Sequence, residues 1–106
     1  MEDKVFVTVT GATHYYGKVP YEIGRIVKLE KDPKNEYDKT AIAVTLPYIG
    51  TIGYVANSIH TVYDGTYSAA RLYDKFDDAI YAKVLIITQS SVILETIPDS
   101  QVEDRF

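Results

Sequence analysis

The chain contains no cysteine and no tryptophan. Without cysteine there is no disulfide framework, no thiol nucleophile and no thiolate zinc site. Histidine is scarce as well. The only two, His14 and His60, lie far apart and make a poor metal pair. Basic residues are outnumbered, with 11 Lys and Arg against 15 Asp and Glu, for a formal net charge of −4. Strong nonspecific nucleic-acid binding rests on many Lys and Arg contacts to phosphate, so that balance argues against it while leaving room for a small local site. No apolar run approaches the roughly 20 residues of a membrane-spanning helix. The opening MEDKVFVTV is acidic and enters a strand at once, without the basic and apolar regions of a signal peptide. No membrane association is expected, and the cytoplasm is the expected location.

Several catalytic and cofactor patterns are also missing. No serine sits in a nucleophile-elbow context. There is no HExxH, EF-hand loop, P-loop or dinucleotide fingerprint. The carboxylates are scattered. A non-catalytic protein without a cofactor is therefore expected.

Tyrosine is what the chain has in quantity, 10 residues of 106. Most of these suit strands, where aromatic residues pack well. The length fits one domain over residues 1–106, with a core at 5–97 and a polar tail, PDSQVEDRF, at 98–106.

Strand signals dominate. Val5, Val7 and Val9 alternate with Phe6, Thr8 and Thr10. In YEIGRIVKLE, Val27 and Leu29 face one way and Lys28 and Glu30 the other, with Gly24 as a bend or bulge within the strand. AIAVTL reads as a strand buried on both sides, and LPYIGTIGYV as a turn near Ile49 or Gly50 leading into another strand. NSIHTVYDG then predicts a helical turn capped by Asn57 and stopped at Gly65. In TYSAARLYDKF, Ala69, Leu72, Tyr73 and Phe76 fall on one helical face. AIYAKVLIIT and SVILETI close the chain as a hairpin across QSSV. The expected fold is mostly β: a small, curved, OB-like barrel of about six strands with one or two short helices.

Three stretches could carry chemistry. KDPKNEYDKTAIAV (31–44) runs a specific polar loop straight into the buried strand. Asp32, Pro33 and Asn35 are turn formers. Tyr37 and Asp38 sit where loop becomes strand; a ring beside a carboxylate could stack on a base and accept a hydroxyl hydrogen bond, or could simply complete the turn. THYYG sets His14, Tyr15 and Tyr16 in a row, either as a lid over the barrel end, with one ring inward and two facing solvent, or as a stacking platform. GTYSAAR opens a helix with Arg71 one turn on, which fits either a phosphate seat or ordinary capping by Thr66.

The order GATHYYG, IVKLEKDP, N-x-Y-D-K-x-A-I-A-V and IGYV resembles the HIRAN domain over about residues 5–57. The resemblance implies a small OB-like β-barrel. Family members occur fused to Snf-type DNA-dependent ATPases of replication-fork repair and as short free-standing bacterial proteins; this chain resembles the second kind. In a fork-remodelling member the domain captures the 3′-hydroxyl end of single-stranded DNA. By position, the resemblance implies that Asp38 bonds the terminal hydroxyl and Tyr37 stacks on the terminal nucleotide. Asn35 would support the loop or touch the strand, and His14 or Tyr15 would supply a second ring. Tyr16, Lys39, Tyr54, Asn57 and Arg71 complete the candidate set. The implied partners are a single-stranded DNA 3′ end and a DNA-processing protein. Three departures stand out: Thr13 and Asn57 occupy positions that are basic in the DNA-binding member, and Glu36 replaces a proline. A second reading follows from them, a protein-interaction or regulatory domain whose nucleic-acid site has decayed.

Overall fold

The computed structural model describes residues 4–102. Six strands form a closed barrel: β1 (Phe6–Thr10), β2 (Ile26–Lys31), β3 (Ile42–Leu46), β4 (Gly50–Val55), β5 (Ala79–Ile87) and β6 (Val92–Ile97). The order around the barrel is β1-β4-β3-β2-β5-β6, with β6 pairing back to β1. Every neighbouring pair is antiparallel. The expected six-stranded barrel is what forms.

The alternation read from the sequence sets which side chains point inward. Val7 and Val9 of β1 and Val27 and Leu29 of β2 are buried in the core, as are Val44, Ile52, Val84 and Leu94. Truncating a fully buried Leu29 or Leu94 to alanine removes contacts that such cores do not refill, at about 2–5 kcal/mol. β3 is buried on both faces at Ile42, Ala43 and Val44, as its apolar run predicts. Register shifts at Val44/Thr45 and at Val84/Ile86 supply the local curvature that closing a small barrel needs.

Three expectations change. Gly24 is not inside β2: the strand begins at Ile26, and Gly24 lies in the preceding turn with φ +88, its N–H donating to Val84 O. NSIHTVYDG forms turns rather than a helix; Thr61 and Val62 both donate to Ser58 O, and Ile59 faces solvent. Its apolar residues fit a helical spacing but have no core to face. The helix α1 spans only Ala69–Tyr73, burying Ala69 and Leu72, and Ser68 rather than Thr66 caps it. Thr66 instead bonds the Thr8 hydroxyl at 2.9 Å and donates to Tyr63 O, holding the 57–68 segment over β1.

The buried ring of the first loop region is Tyr21, whose hydroxyl donates to Ile52 O at 2.9 Å. His14, Tyr15 and Tyr16 are all exposed, so none of them is the inward ring expected of THYYG. Of the polar tail, Asp99–Gln101 forms a 3-10 turn, and residues 103–106 lie outside the described residues.

Candidate functional site

The loop between β2 and β3 is built by its own polar side chains. Asp32 N–H donates to Ala41 O at 2.9 Å and pinches the loop base shut. At the tip, Asn35 Oδ1 accepts the N–H groups of Tyr37 (2.9 Å) and Asp38 (3.0 Å), the turn chemistry expected of asparagine. Asn35 Nδ2 donates to Asp32 Oδ2 at 3.3 Å, and the same oxygen accepts from Tyr54 Oη at 2.9 Å. Tyr54 belongs to β4, so one tyrosine hydroxyl ties the loop to the barrel wall. Burial, reinforced by the bond to Asp32 and the neighbouring Tyr15, pushes the Tyr54 phenol up to about 12. It therefore stays a donor at any physiological pH.

Asp38 is held just as closely. Its Oδ1 accepts from both the N–H and the hydroxyl of Thr40, each at 2.8 Å. Its Oδ2 accepts from Asn57 Nδ2 at 2.9 Å. Asn57 is itself fixed, donating to Thr40 Oγ1 at 3.2 Å and accepting Ala70 N–H at 2.8 Å. Partial burial pushes the Asp38 carboxyl upward, but the bonds from Thr40 and Asn57 outweigh it and hold the group below its ordinary value. An ionised carboxylate offers about four acceptor positions. Thr40 takes two and Asn57 takes one, which leaves a single position on Oδ2.

Asp38 lines a cleft of about 310 Å³ together with Asn35, Tyr54, Asn57, Thr10 and Thr61. That size is at the small end of ligand sites. The Tyr15 ring lies 6.3 Å from the Tyr54 ring, tilted by 46°, and extends the aromatic wall. Four of the sequence-derived candidates, Asn35, Asp38, Tyr54 and Asn57, thus meet in one place, with Tyr15 in contact. His14, Tyr16, Tyr37 and Lys39 are exposed and do not line the cleft; Tyr37 stands 94% exposed beside Asp38. Arg71 does not join them: its guanidinium sits 3.8 Å over the Tyr67 ring. A larger concavity, about 810 Å³, lies elsewhere between Lys4, Phe76, Ile80 and Ile97. It contains none of the candidates, and its walls mix Lys75 with Asp74, Asp77 and Asp99, so it is not read as the site.

Thr40 is a site residue outside the sequence-derived candidates, and Asp32 does more than form a turn. Asp38-x-Thr40 is a local signal, since a side-chain carboxylate commonly accepts from a backbone two residues on. The partner of Asp32 is Tyr54, 22 residues away, and no local pattern announces it. Asn57 is not a helix cap; it is the strut between Asp38 and α1. Among the described residues no three His, Asp or Glu gather as metal ligands would, and no helix is long and apolar enough to cross a membrane.

A closed β-barrel bearing one loop-built cleft that ends on a pinned carboxylate defines a small β-barrel binding domain. The HIRAN domain model matches residues 3–99, and the chain belongs to the HIRAN family, a family of nucleic-acid-binding domains that are not catalytic by themselves. The fold is similar to the crystal structure of a protein from Lactobacillus plantarum, with a TM-score of 0.61 and 25% identity over 89% of this chain and 93% of that one. No curated protein matches the chain.

Proposed function

We propose that the cleft captures the 3′-hydroxyl end of single-stranded DNA, with Asp38 accepting the terminal hydroxyl hydrogen bond. The observation that carries this reading is the single acceptor position left on a fixed, ionised carboxylate. One position suits one donor, and a hydroxyl supplies one. A 3′-phosphate supplies negative charge instead, and meets a carboxylate that three hydrogen bonds keep ionised. Tyr54, backed by Tyr15, forms the apolar wall against which the sugar and base pack. Tyr37, exposed next to Asp38, covers the terminal base from the open side; stacking of this kind is worth about 1–3 kcal/mol per base. Asn35 shapes the loop rather than reading the ligand, since its Oδ1 is taken by two backbone N–H groups.

Few cations surround the cleft, so affinity is modest and depends on the end more than on length. The expected result is that a short single strand ending in a 3′-hydroxyl binds more tightly than the same strand with a 3′-phosphate, and that Asp38→Ala removes the preference. Equal binding of the two strands by the wild-type protein refutes the mechanism. In that case specific capture of a DNA-processing protein, with no single strand bound at low salt, would support the interaction-domain reading, which rests on Thr13 and Asn57 standing at basic positions of the family.

A further inference from the structure

Six large apolar side chains stand exposed at one end of the barrel: Val19, Ile23, Tyr48, Ile49, Leu85 and Ile86. Val19 and Ile23 belong to the loop between β1 and β2, Tyr48 and Ile49 to the β3–β4 turn, and Leu85 and Ile86 to the end of β5. They lie side by side because β3, β2 and β5 are neighbours in the barrel. Lys28 pairs with Thr45, which carries the 47–49 turn alongside the start of β2. Gly24 N–H donates to Val84 O, which carries Ile23 alongside Leu85. Asp38 sits in the loop at the opposite ends of β2 and β3.

The tip of the β3–β4 turn is strained. Among the described residues, Tyr48 is the one non-glycine residue with positive φ, at +69. Glycine and asparagine suit that backbone, and a bulky ring does not. Nothing within the chain compensates. Among the described residues the Tyr48 side chain has no hydrogen bond or ring contact, and it is fully exposed. The ring is placed for a contact outside the chain.

By area the patch is that of an interface. With about 200 Å² for a tyrosine and about 100 Å² for the apolar part of an aliphatic side chain, the six expose on the order of 500 Å². That is near the top of what a monomer exposes, and with its polar rim it approaches the roughly 800 Å² per partner of a standard interface. Its border is close to neutral. Arg25 and Lys83, beside Ile23 and Leu85, are paired with Glu22 and Glu95. Lys18, beside Val19, has no carboxylate partner among the described residues, and one cation is far short of the cluster of about 4–8 that holds a protein on an anionic bilayer. A nearly neutral face is also where two copies of a chain of net charge −4 repel least.

The geometry points to one occupant: a second copy of this chain. In a twofold pairing the same patch serves both copies. Tyr48 and Ile49 of each copy pack on Ile23, Leu85 and Ile86 of the other, so each strained turn gains the contact it lacks in the single chain. The two Asp38 clefts lie at the far ends of the strands and stay open, and the dimer presents both at once. This inference goes beyond the end-capture reading and does not rest on it.

Sedimentation velocity of the full chain, from micromolar to about 500 µM, tests the pairing. The expected result is a monomer–dimer equilibrium with a dissociation constant in the micromolar range. Tyr48→Asn removes the ring and suits the positive φ, so it should fold at least as well while weakening the dimer about tenfold or more. Ile23→Glu sets a carboxylate in the face of each copy and should leave a monomer throughout. Ile59→Glu, at a more exposed apolar residue outside the patch, should leave the dimer unchanged. Thermal melts at the lowest concentration, where every variant is monomeric, check that each is folded. A wild-type chain that stays monomeric at the highest concentration overturns the inference. A dimer that withstands Tyr48→Asn or Ile23→Glu, or that Ile59→Glu weakens as much, is built on another face and overturns it too. Binding of a monomeric wild-type chain to vesicles of equal parts phosphatidylserine and phosphatidylcholine, lost in Tyr48→Asn, would give the face to lipid instead.

Discussion

Replacing Asp38 by asparagine changes one oxygen to an NH₂ group and leaves the shape of the side chain intact. The new Oδ1 can still accept from the Thr40 N–H and hydroxyl, which sit at 2.8 Å. The new Nδ2 stands where Oδ2 accepted from Asn57 Nδ2 at 2.9 Å, so two donors face each other. Asn57 cannot escape by flipping its amide. Its Oδ1 accepts Ala70 N–H at 2.8 Å, and a flip moves the donor–donor conflict to that bond. A hydrogen bond to a charged group contributes about 1.5–3 kcal/mol. Asp38 is only half-buried, so the lower part of that range applies, and solvent reduces the loss to about 1 kcal/mol. For a domain near 100 residues that is a fall in Tm of about 4–8 °C. The double variant Asp38→Asn with Asn57→Asp reverses the donor and acceptor: the carboxylate introduced at position 57 accepts from the amide introduced at position 38 and from Ala70 N–H. It should recover most of the melting temperature while the preference for a 3′-hydroxyl over a 3′-phosphate stays weak, because the charge has moved off position 38. Differential scanning calorimetry of the wild-type, single and double variants decides the matter. A single variant that melts within about 1 °C of wild type, or a double variant no better than the single, refutes the strut described for Asn57.

Two further outcomes follow from the same contacts. A Cβ on Gly53 would lie 2.5 Å from Tyr21 Oη and 2.9 Å from Val9 Cγ1, so Gly53→Ala should destabilise by about 1–3 kcal/mol in denaturant unfolding. In a Tyr21→Phe background, which itself costs about 1 kcal/mol through the unpaired Ile52 carbonyl, the same substitution should cost less; strictly additive losses would show that the Tyr21 hydroxyl is not the obstacle. The Asp38 carboxyl is held below its ordinary value, so its hydrogen bonds contribute stability that is present above the unfolded carboxylate pKa, about 3.9, and is lost as pH falls through the lower folded value. Capture of a 3′-hydroxyl strand should therefore persist through about pH 4 and be lost only as pH falls through the lower folded value, and an affinity lost between about pH 5 and 7 would rule Asp38 out as the reading group.

The barrel was legible because its information is local. Alternation at Val5 to Val9 and at Val27 and Leu29, together with the apolar run at Ile42 to Val44, states which residues must face inward whatever the partner strand is. Part of the site was legible for the same reason: Asn35 and Asp38 act within their own loop. The remainder depends on partners distant in sequence. Tyr54 reaches Asp32, and Asn57 reaches both Asp38 and Ala70, and only the pairing of β2, β3 and β4 and the docking of α1 bring them together. Asn57 misled for a physical reason. Asparagine ahead of spaced apolar residues has the composition of a helix start, but Ile59 is exposed, and without burial a single turn has nothing to stabilise it against solvent. Tyr21 was hidden among ten tyrosines, since nothing local distinguishes a ring that enters the core from one that stays outside.

Closure of the barrel has a kinetic side. The seam is made by β1 and β6, the first and last strands in chain order, and Val7 pairs with Leu94 across it. During synthesis at about 5–20 residues per second, β1 is complete on the order of ten seconds before its partner exists. Until β6 arrives, the edge of β1 that will pair with it, Phe6 to Val9, stays open. Such edges template pairing with other chains, and contacts this distant in sequence form slowly. The seam that leaves the mature barrel without a free edge is therefore the last to form, and the nascent chain must stay unpaired with its neighbours until β6 arrives.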